Sequence, residues 1–275
     1  MTGNTYTFGA EWDEERARLG RLAQFWAAAT ERAVRAVGVR PGASCLDVGA
    51  GGGEVSALLS GLVGERGRVV ALDRDVRHLR AAELPAHVEV REHDIVADGP
   101  PVGERFDLVH ARMVLSHLPE RAEVLDRLVE LCAPGGCVLL SEFDVDRPAP
   151  PTAPRTPAER FQLVHDAVVA VLGGHGCDGR FGHWMPSALA ARGLTDVDAV
   201  VDGGALRGGT PAAEFYRLTF LRLREPILAQ GLAPADVVER VLAELADPGF
   251  VTLSVPLVSA WGRRPAPGPA GRSAG

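Results

Sequence analysis

Four glycines and two acids lie close together near residue 50 and carry the strongest chemical signal in this sequence. The stretch SCLDVGAGGGEVSALL (residues 44–59) joins a short apolar run, Asp47, a glycine-rich turn over Gly49–Gly53 and a helical pattern that begins at Glu54. Glycine has no side chain and adopts positive φ without strain, so such a backbone can approach a ligand closely. The pattern therefore predicts a ligand-binding turn between a strand and a helix.

The acids beside this turn indicate which ligand it binds. The dinucleotide fingerprint GxGxxG fits Gly49 and Gly51, but Glu54 stands at its third glycine. In that fingerprint a pyrophosphate lies on the helix N-terminus, where the carboxylates of Glu54 and Asp47 would repel it. A ligand with positive charge near the turn fits better, and S-adenosylmethionine (SAM) has an ammonium and a sulfonium group. The alternative for Glu54 is a local role in stabilising the helix N-terminus.

Further motifs follow this turn in order. LDVGAGGG resembles motif I of the class I SAM-dependent methyltransferases, VVALDRD (residues 69–75) resembles the family's second strand, and EHDI (residues 92–95) resembles its third-strand motif. FDLVHARMVLSHLPE and LCAPGGCVLLSE resemble the fourth strand and the turn before the fifth, with Ala133 in the place of the family's lysine. Because these motifs occur in the family's order over residues 44–143, together they make the resemblance specific, whereas any one of them alone would be weak evidence. The resemblance is to ubiquinone/menaquinone-biosynthesis-like and other small-molecule methyltransferases.

This resemblance implies a SAM site with roles for individual residues. Asp73 would bind the ribose hydroxyls, and Asp94 would face the adenine edge with Ile95 packed on the ring. Arg74 would lie along the adenine or face water, and His110 would contact the cofactor through its backbone. The structural alternatives are a helix cap for Asp73 and a solvated loop acid for Asp94. The predicted cofactor-binding set is Asp47, Gly49, Ala50, Gly51, Gly53, Asp73, Arg74, Asp94, Ile95, His110 and Ala111.

Methyl transfer from SAM makes few demands on acid–base chemistry. The methyl carbon is already activated by the sulfonium, so the enzyme mainly aligns the acceptor. A base is needed only for an unionised hydroxyl or a carbon acid. We rank His183, in the irregular-looking segment HGCDGRFGHWMP, ahead of His117, which follows the fourth strand, as the candidate catalytic base. A loop-shaping role is the alternative for His117, and His165, in an apolar helical pattern, is expected in the core.

Alternating strands and helices must position these residues. From residue 44 to residue 143 the alternation predicts an α/β, Rossmann-like fold, and the family implies a seven-stranded, mostly parallel sheet with helices on both faces. Residues 203–249 intervene where the family has only a short link between its last two strands, and they predict a helical cap. An antiparallel strand around residues 250–263 should complete the sheet.

The remaining segments are assigned to a lid, a cap and a tail. Residues 1–40 are predicted to form an N-terminal helical lid, with Tyr6, Phe8 and Trp12 as its cofactor contacts. Residues 41–264 would be the methyltransferase domain. Its cap insertions at about 144–192 and 203–249 would lie together over the carboxyl ends of the strands, and residues 265–275 would be a disordered tail.

Composition and charge exclude several classes of protein. The 275 residues carry a net charge of −7 without a basic run, which argues against a nucleic-acid partner. The sequence shows no signal core and no apolar stretch long enough to span a bilayer, which favours a soluble, cytoplasmic protein. The four cysteines lack CxxC spacing, so we expect buried apolar roles and no metal site.

Two functional hypotheses remain open on the sequence. The first is a SAM-dependent methyltransferase that modifies a small, mid-sized and largely apolar acceptor, through O-methylation of a natural-product intermediate, with S-adenosylhomocysteine (SAH) as product. The alternative is a SAM-binding protein of the same fold without methyl transfer, a pericyclase-like catalyst or a regulatory module, because fold and cofactor do not fix the reaction. The only assembly that we consider for this chain is a homodimer.

Overall fold

The computed structural model describes residues 13–99, 103–145 and 153–266. The helices of this part are α1 (Asp13–Ala36), α2 (Glu54–Val63), α3 (Arg77–Ala81), α4 (Arg121–Leu131), α5 (Pro157–Gly173), α6 (Phe181–Ala190), α7 (Pro211–Ala229) and α8 (Ala235–Glu244), with a 3₁₀ helix at Leu115–His117. The strands are β1 (Ser44–Val48), β2 (Arg68–Asp73), β3 (Val88–Glu92), β4 (Phe106–Arg112), β5 (Cys132–Phe143), β6 (Thr195–Asp202), β7 (Ala205–Arg207), β8 (Val251–Leu253) and β9 (Leu257–Arg263). The lid contacts predicted for Tyr6, Phe8 and Trp12, and residues 267–275 of the predicted tail, lie outside the described residues.

Seven strands form one sheet in the order β3-β2-β1-β4-β5-β9-β6. The first five strands pair in parallel, whereas β9 is antiparallel to both β5 and β6. The predicted α/β fold with a mostly parallel seven-stranded sheet is confirmed, and so is the antiparallel strand near the end of the chain. Because β1 and β4 are parallel neighbours, their carboxyl ends lie side by side, and so the glycine turn after β1 lies next to the segment after β4.

The predicted final strand is divided into two strands. β8 ends at Leu253 and β9 begins at Leu257, with Pro256 between them. Proline has no N–H for a strand ladder. The N–H of Ser254 donates to Gly204 O, and that of Val255 donates to the hydroxyl of Tyr216. β8 therefore leaves the main sheet and pairs with β7 as a two-stranded ribbon.

Helices cover both faces of the sheet because each presents an apolar stripe. On one face, α2 and the second half of α1 bury residues such as Leu59 and Val34 against β1, β2 and β4. On the other face, α4 and α6 bury residues such as Leu128 and Met185. The sheet is thus enclosed, and its carboxyl-terminal edge is the place where ligands bind in such folds.

A third apolar cluster forms the cap above that edge. It joins the first half of α1 to α5, α7 and α8, and it is rich in aromatic residues. Phe143, at the end of β5, packs against this cluster and lies 6.1 Å from Trp26 and 6.5 Å from Phe215 between ring centroids. A capping box at Thr156 and Glu159 starts α5, and the hydroxyl of Thr210 caps α7. The cap is therefore anchored to the sheet through β5.

The predicted insertion at 144–192 is divided between two places. α5 packs with α7 and α8 in the cap, whereas α6 packs on β9, β5 and β6. The apolar residues Phe181, Met185 and Leu189 recur every four residues, so they form one helical stripe facing the sheet. α6 consequently covers one face of the sheet and does not belong to the cap cluster.

Within the described ranges, no helix has both the length and the apolar composition that crossing a membrane requires.

Candidate functional site

The turn after β1 is shaped by three glycines with positive φ. Gly49, Gly51 and Gly53 have φ values of 67°, 56° and 88°, a region that other residues enter only with strain. A Cβ on Gly49 would lie 2.3 Å from Cγ2 of Val114, whereas one on Gly51 would meet nothing closer than 4.0 Å. Gly49 is therefore required by the protein's own packing, and Gly51 faces space that a ligand could occupy. The side chain of Ala50 is buried in the core.

Asp73 connects this turn to the end of β2. Its Oδ2 accepts the N–H of Gly51 at 2.9 Å, and its Oδ1 accepts the N–H of Asp75 at 3.0 Å. Burial raises the pKa of Asp73, while these two N–H groups lower it. Ionised carboxylate oxygens have about four acceptor sites, so Asp73 keeps capacity for two hydroxyl donors. The helix-cap alternative does not describe it, because α3 begins at Arg77 with Val76 as its N-cap and no side-chain cap bond.

Asp47 is buried beneath the turn and does not face solvent. It is 2% exposed, its Oδ2 accepts the hydroxyl of Ser56 at 2.6 Å, and its Oδ1 lies 2.8 Å from Nδ1 of His110. Residues 47 and 110 are paired in the β1–β4 register, which explains the contact. Both oxygens of Asp47 are engaged by protein groups, and its predicted cofactor-binding role stays a prediction. The side chain of His110 is thus buried against Asp47, and a backbone contact from His110 to the cofactor stays a prediction.

Buried polar nitrogens near this end of the sheet lack hydrogen-bond partners. Among the described residues, Nε2 of His110 and Nε1 of Trp26 are buried without a hydrogen bond. Buried polar groups are normally paired, since an unpaired one costs about 1–3 kcal/mol. His110 lies near the carboxyl end of β4, and Trp26 lies on α1 beside Phe143 at the end of β5, so both atoms are near the sheet edge where a polar ligand could bind.

Arg112 places a positive charge beside the turn. It ends β4, and its Nη1 donates to the hydroxyl of Thr30 in α1 at 2.9 Å. Burial lowers the pKa of Arg112, and the carboxylates of Asp47 and Glu54 act in the opposite direction. The charges of the two acids that the sequence pattern singled out therefore act on this guanidinium. It was not in the predicted cofactor-binding set.

The adenine-side residues follow β3. Asp94 is half-buried, and its Oδ1 accepts the N–H groups of Val96 and Ala97 at 2.8 and 3.2 Å, so it organises its own turn. Ile95 is buried in the core cluster on the α4 face. Arg74 is exposed next to Asp73. The adenine roles of these residues stay predictions, and so does a backbone contact from Ala111, whose side chain is fully buried.

His117 lies at the end of the 3₁₀ helix that follows β4. It is half-buried, and burial together with the positive charge of Arg18 lowers its pKa to about 4. Arg18, on α1, donates to the carboxylate of Glu15 at 2.8 and 2.7 Å and lies 5.6 Å from the ring centroid of Phe215. His117 is therefore a neutral imidazole between the sheet edge and the cap.

The expectation that His183 lies in an irregular segment is wrong. His183 is in the first turn of α6, its side chain is 55% exposed, and its Nδ1 lies 3.6 Å from Oδ2 of Asp144. The glycine that suggested irregularity serves close packing, because a Cβ on Gly182 would lie 2.6 Å from the backbone O of Phe143. His165, by contrast, is buried in the cap beside Phe161, as expected of a core histidine.

Glu142, which the sequence interpretation missed, organises the segment after β4. It is 1% exposed and accepts four hydrogen bonds from Val114, Leu115 and Ser116. The available signal was its position at the carboxyl end of the fifth strand, where ligand-site residues gather.

The described residues provide no metal centre. None of their His, Cys, Asp and Glu side chains form a group of three or more that could hold an ion. The four cysteines are free, and burial raises the pKa of Cys45 and Cys132 to about 12. These thiols are consequently neutral and unreactive at physiological pH.

One cavity lies at the other end of the sheet. Its volume is about 440 Å³, and it is lined by residues 37–43, Asp107, Leu108, residues 134–137 and Arg263. These residues surround the amino ends of β1 and β4. None of the predicted cofactor-binding residues contributes to it.

Comparison with known proteins relates this geometry to one family. A family model described as a methyltransferase domain matches residues 16–180, more than half of the chain. "Methyltransferase str3" of Strobilurus tenacellus is 30% identical over 135 residues, which cover 49% of this chain and 46% of that protein. A "Ubiquinone biosynthesis O-methyltransferase" of Leptothrix cholodnii is 34% identical over 115 residues, which cover 39% and 47%. The matches thus span about half or less of these curated relatives.

Solved structures agree on the fold. A Bacillus halodurans protein aligns with a TM-score of 0.56 at 17% identity, covering 87% of this chain and 100% of that one. The mycolic acid cyclopropane synthase CmaA1, solved with SAH and CTAB, aligns with a TM-score of 0.53 at 15% identity, covering 86% and 83%. At this identity the likeness establishes a shared fold.

Proposed function

Since this chain belongs to the methyltransferase domain family and has the class I SAM-dependent fold, we propose that it binds SAM and transfers its methyl group to a small-molecule acceptor. The observation that carries the proposal is the bond between Asp73 Oδ2 and the N–H of Gly51. It joins a carboxylate with spare acceptor capacity to a turn of three positive-φ glycines, at the carboxyl ends of adjacent parallel strands.

The residues present fit SAM better than a dinucleotide. Asp73 is suited to a ribose diol, and the open space above Gly51 admits a ligand backbone close to the turn. The acids Asp47 and Glu54 would oppose a pyrophosphate, whereas Arg112, whose charge interacts with both acids, would supply a partner for a carboxylate. SAM has a diol, a carboxylate and two cationic groups, which match these charges.

The protein's contribution to the reaction is alignment. When bound, SAM supplies a methyl carbon already activated for displacement. Asp73, Arg112 and the glycine turn would fix that end of the site, and Val114, packed over Gly49, would form its wall. Holding two reactants in line is worth about 7–11 kcal/mol of the barrier. Cap residues around Phe143 and Phe215 would exclude water from the acceptor side.

We place the acceptor beside His117, under the cap. The aromatic cluster of α1, α5 and α7 supports a largely apolar acceptor, and the names of ubiquinone O-methyltransferase relatives support a hydroxyl on that acceptor. His117 is neutral, so it can accept a proton from a phenolic or enolic hydroxyl. A natural-product intermediate of this kind is the proposed substrate class.

Incubation with SAM and a panel of phenolic and quinol acceptors tests the proposal. SAH and a product heavier by one methylene unit should form together, in equal amounts. If SAH binds but never accumulates with any acceptor that is itself consumed, the non-methylating alternative replaces this proposal.

A further inference from the structure

The buried carboxylate of Glu142 anchors the segment after β4 from the neighbouring strand. Its Oε1 accepts the N–H groups of Val114, Leu115 and Ser116 at 3.0, 2.8 and 3.2 Å, and its Oε2 accepts the hydroxyl of Ser116 at 2.7 Å. Leu115 and Ser116 are themselves buried. Three adjacent backbone donors therefore share one side-chain acceptor, and two of them belong to buried residues.

The anchored segment contacts both halves of the proposed site. On the cofactor side, Val114 lies against Gly49 so closely that the glycine cannot be replaced without a clash. On the acceptor side, the N–H of His117 donates to the carbonyl of Val114 at 3.1 Å. The segment enters through Met113, a non-glycine residue with a positive φ of 55°. Such a conformation persists only where surrounding contacts impose it.

We propose that Glu142 is a positioning residue that sets the distance between the glycine turn and His117, through its bonds to residues 114–116. This inference rests on the proposed function. Glu142 touches neither reactant in this arrangement and acts through Val114 and His117. The bonds require the length of the glutamate side chain and an acceptor oxygen facing residues 114–116, more than they require its charge.

The surroundings of Glu142 agree with a geometric role. Burial raises its pKa to about 7, although the four donors act in the opposite direction. The negative charge of Glu142 also helps to raise the pKa of the Cys177 thiol. A glutamine in this place would keep an oxygen for the three N–H groups and would donate its NH₂ to Ser116 Oγ. An aspartate would keep the charge but would fall short by one methylene.

Hydrogen exchange tests the anchoring without any ligand. In Glu142→Asp, the amides of Val114, Leu115 and Ser116 should exchange at least about tenfold faster than in the wild type, which corresponds to the loss of about one hydrogen bond each. In Glu142→Gln their protection should remain within about twofold of the wild type, while amides of β1 and β2 should not change in either variant. Equal protection in Glu142→Asp and the wild type would overturn the proposal.

SAH affinity tests the consequence for the site. We expect Glu142→Asp to bind SAH about tenfold more weakly, and Glu142→Gln to bind within about twofold of the wild type. Ser116→Ala, which removes only the Oε2 contact, should fall between them. Glu244→Ala is the matched control, because Glu244 is a half-buried acid in the cap that accepts a hydrogen bond from Arg160. It should lower the thermal midpoint without changing SAH affinity.

The outcomes separate the two proposals. If the wild type binds no SAH, the proposed function fails, and the exchange experiment still decides the anchoring role. If the wild type binds SAH and Glu142→Asp binds it equally well, the positioning role fails while the function stands. A loss in Glu142→Gln as large as in Glu142→Asp would show that side-chain length is not sufficient and would overturn a purely geometric role.

Discussion

Val114 lies directly over Gly49, so that a Cβ on the glycine would come within 2.3 Å of the valine's Cγ2. The glycine turn after β1 and the segment after β4 are therefore in van der Waals contact. Gly51, two residues later, has a similar positive φ but nothing within 4.0 Å of its Cβ position. The two glycines thus serve different purposes and allow a matched comparison.

Gly49→Ala should destabilise the fold more than Gly51→Ala. Positive φ costs an alanine about 1–2 kcal/mol at either position, and overpacking adds about 1–3 kcal/mol at position 49 alone. Denaturant unfolding measures both losses, and Gly49→Ala combined with Val114→Ala should recover part of the first. Gly51→Ala should weaken SAH binding more than Gly49→Ala does, because only a Cβ at position 51 enters the proposed ligand space. Equal destabilisation by the two alanines would contradict the packing described.

His117 should make the fold sensitive to mild acid. Its pKa falls from the ordinary 6.5 to about 4 on folding, so folding favours the neutral form. The stabilisation is complete above pH 6.5 and is lost as the pH falls towards 4, up to about 3 kcal/mol. His117→Asn should lose correspondingly less stability than the wild type between pH 7.5 and pH 4.5. Parallel unfolding curves for the two proteins across this range would show that the imidazole is not held neutral.

Replacing His117 should affect methyl transfer more than replacing His183. The side chain of His183 is 55% exposed on α6, so His183→Asn should leave kcat within about twofold of the wild type. His117→Asn should lower kcat by about 10²-fold, the low end of the range for a general base, because an imidazole of pKa about 4 is a weak base. The acid limb of the kcat/KM profile should lie nearer pH 4 than pH 6.5. A large loss in His183→Asn with a normal rate in His117→Asn would restore the ranking made from the sequence.

The sheet could be predicted from the sequence because each strand carries a local signal. Short apolar runs between segments of helical periodicity predict the strands, and the glycine turn at Gly49–Gly53 marks the change from strand to helix. These local patterns do not predict the register in which neighbouring strands pair. Asp47 and His110 are 63 residues apart in the chain, and only the β1–β4 pairing makes them a buried pair.

The parts that the sequence did not predict depend on long-range packing. The segment HGCDGRFGHWMP was expected to be irregular, yet its last residues begin the helix α6, because Gly182 lets α6 approach the end of β5 and its apolar stripe packs on the sheet. Glu142 ends the family-like stretch LCAPGGCVLLSE, but that resemblance assigned it no role. Its role follows from the distance between two strand ends, which no local pattern encodes.

Calorimetric titration with SAH tests the central claim, that Asp73 and the glycine turn form a SAM site. The wild type should bind SAH with a Kd in the micromolar range, about −8 kcal/mol, and should not bind NAD. Asp73→Ala should weaken SAH binding by about 1–3 kcal/mol through the loss of charge-assisted hydrogen bonds. Asp75→Ala, which removes a neighbouring carboxylate paired with Arg77, should bind normally. Unchanged SAH affinity in Asp73→Ala, or binding of NAD in place of SAH by the wild type, would contradict the account.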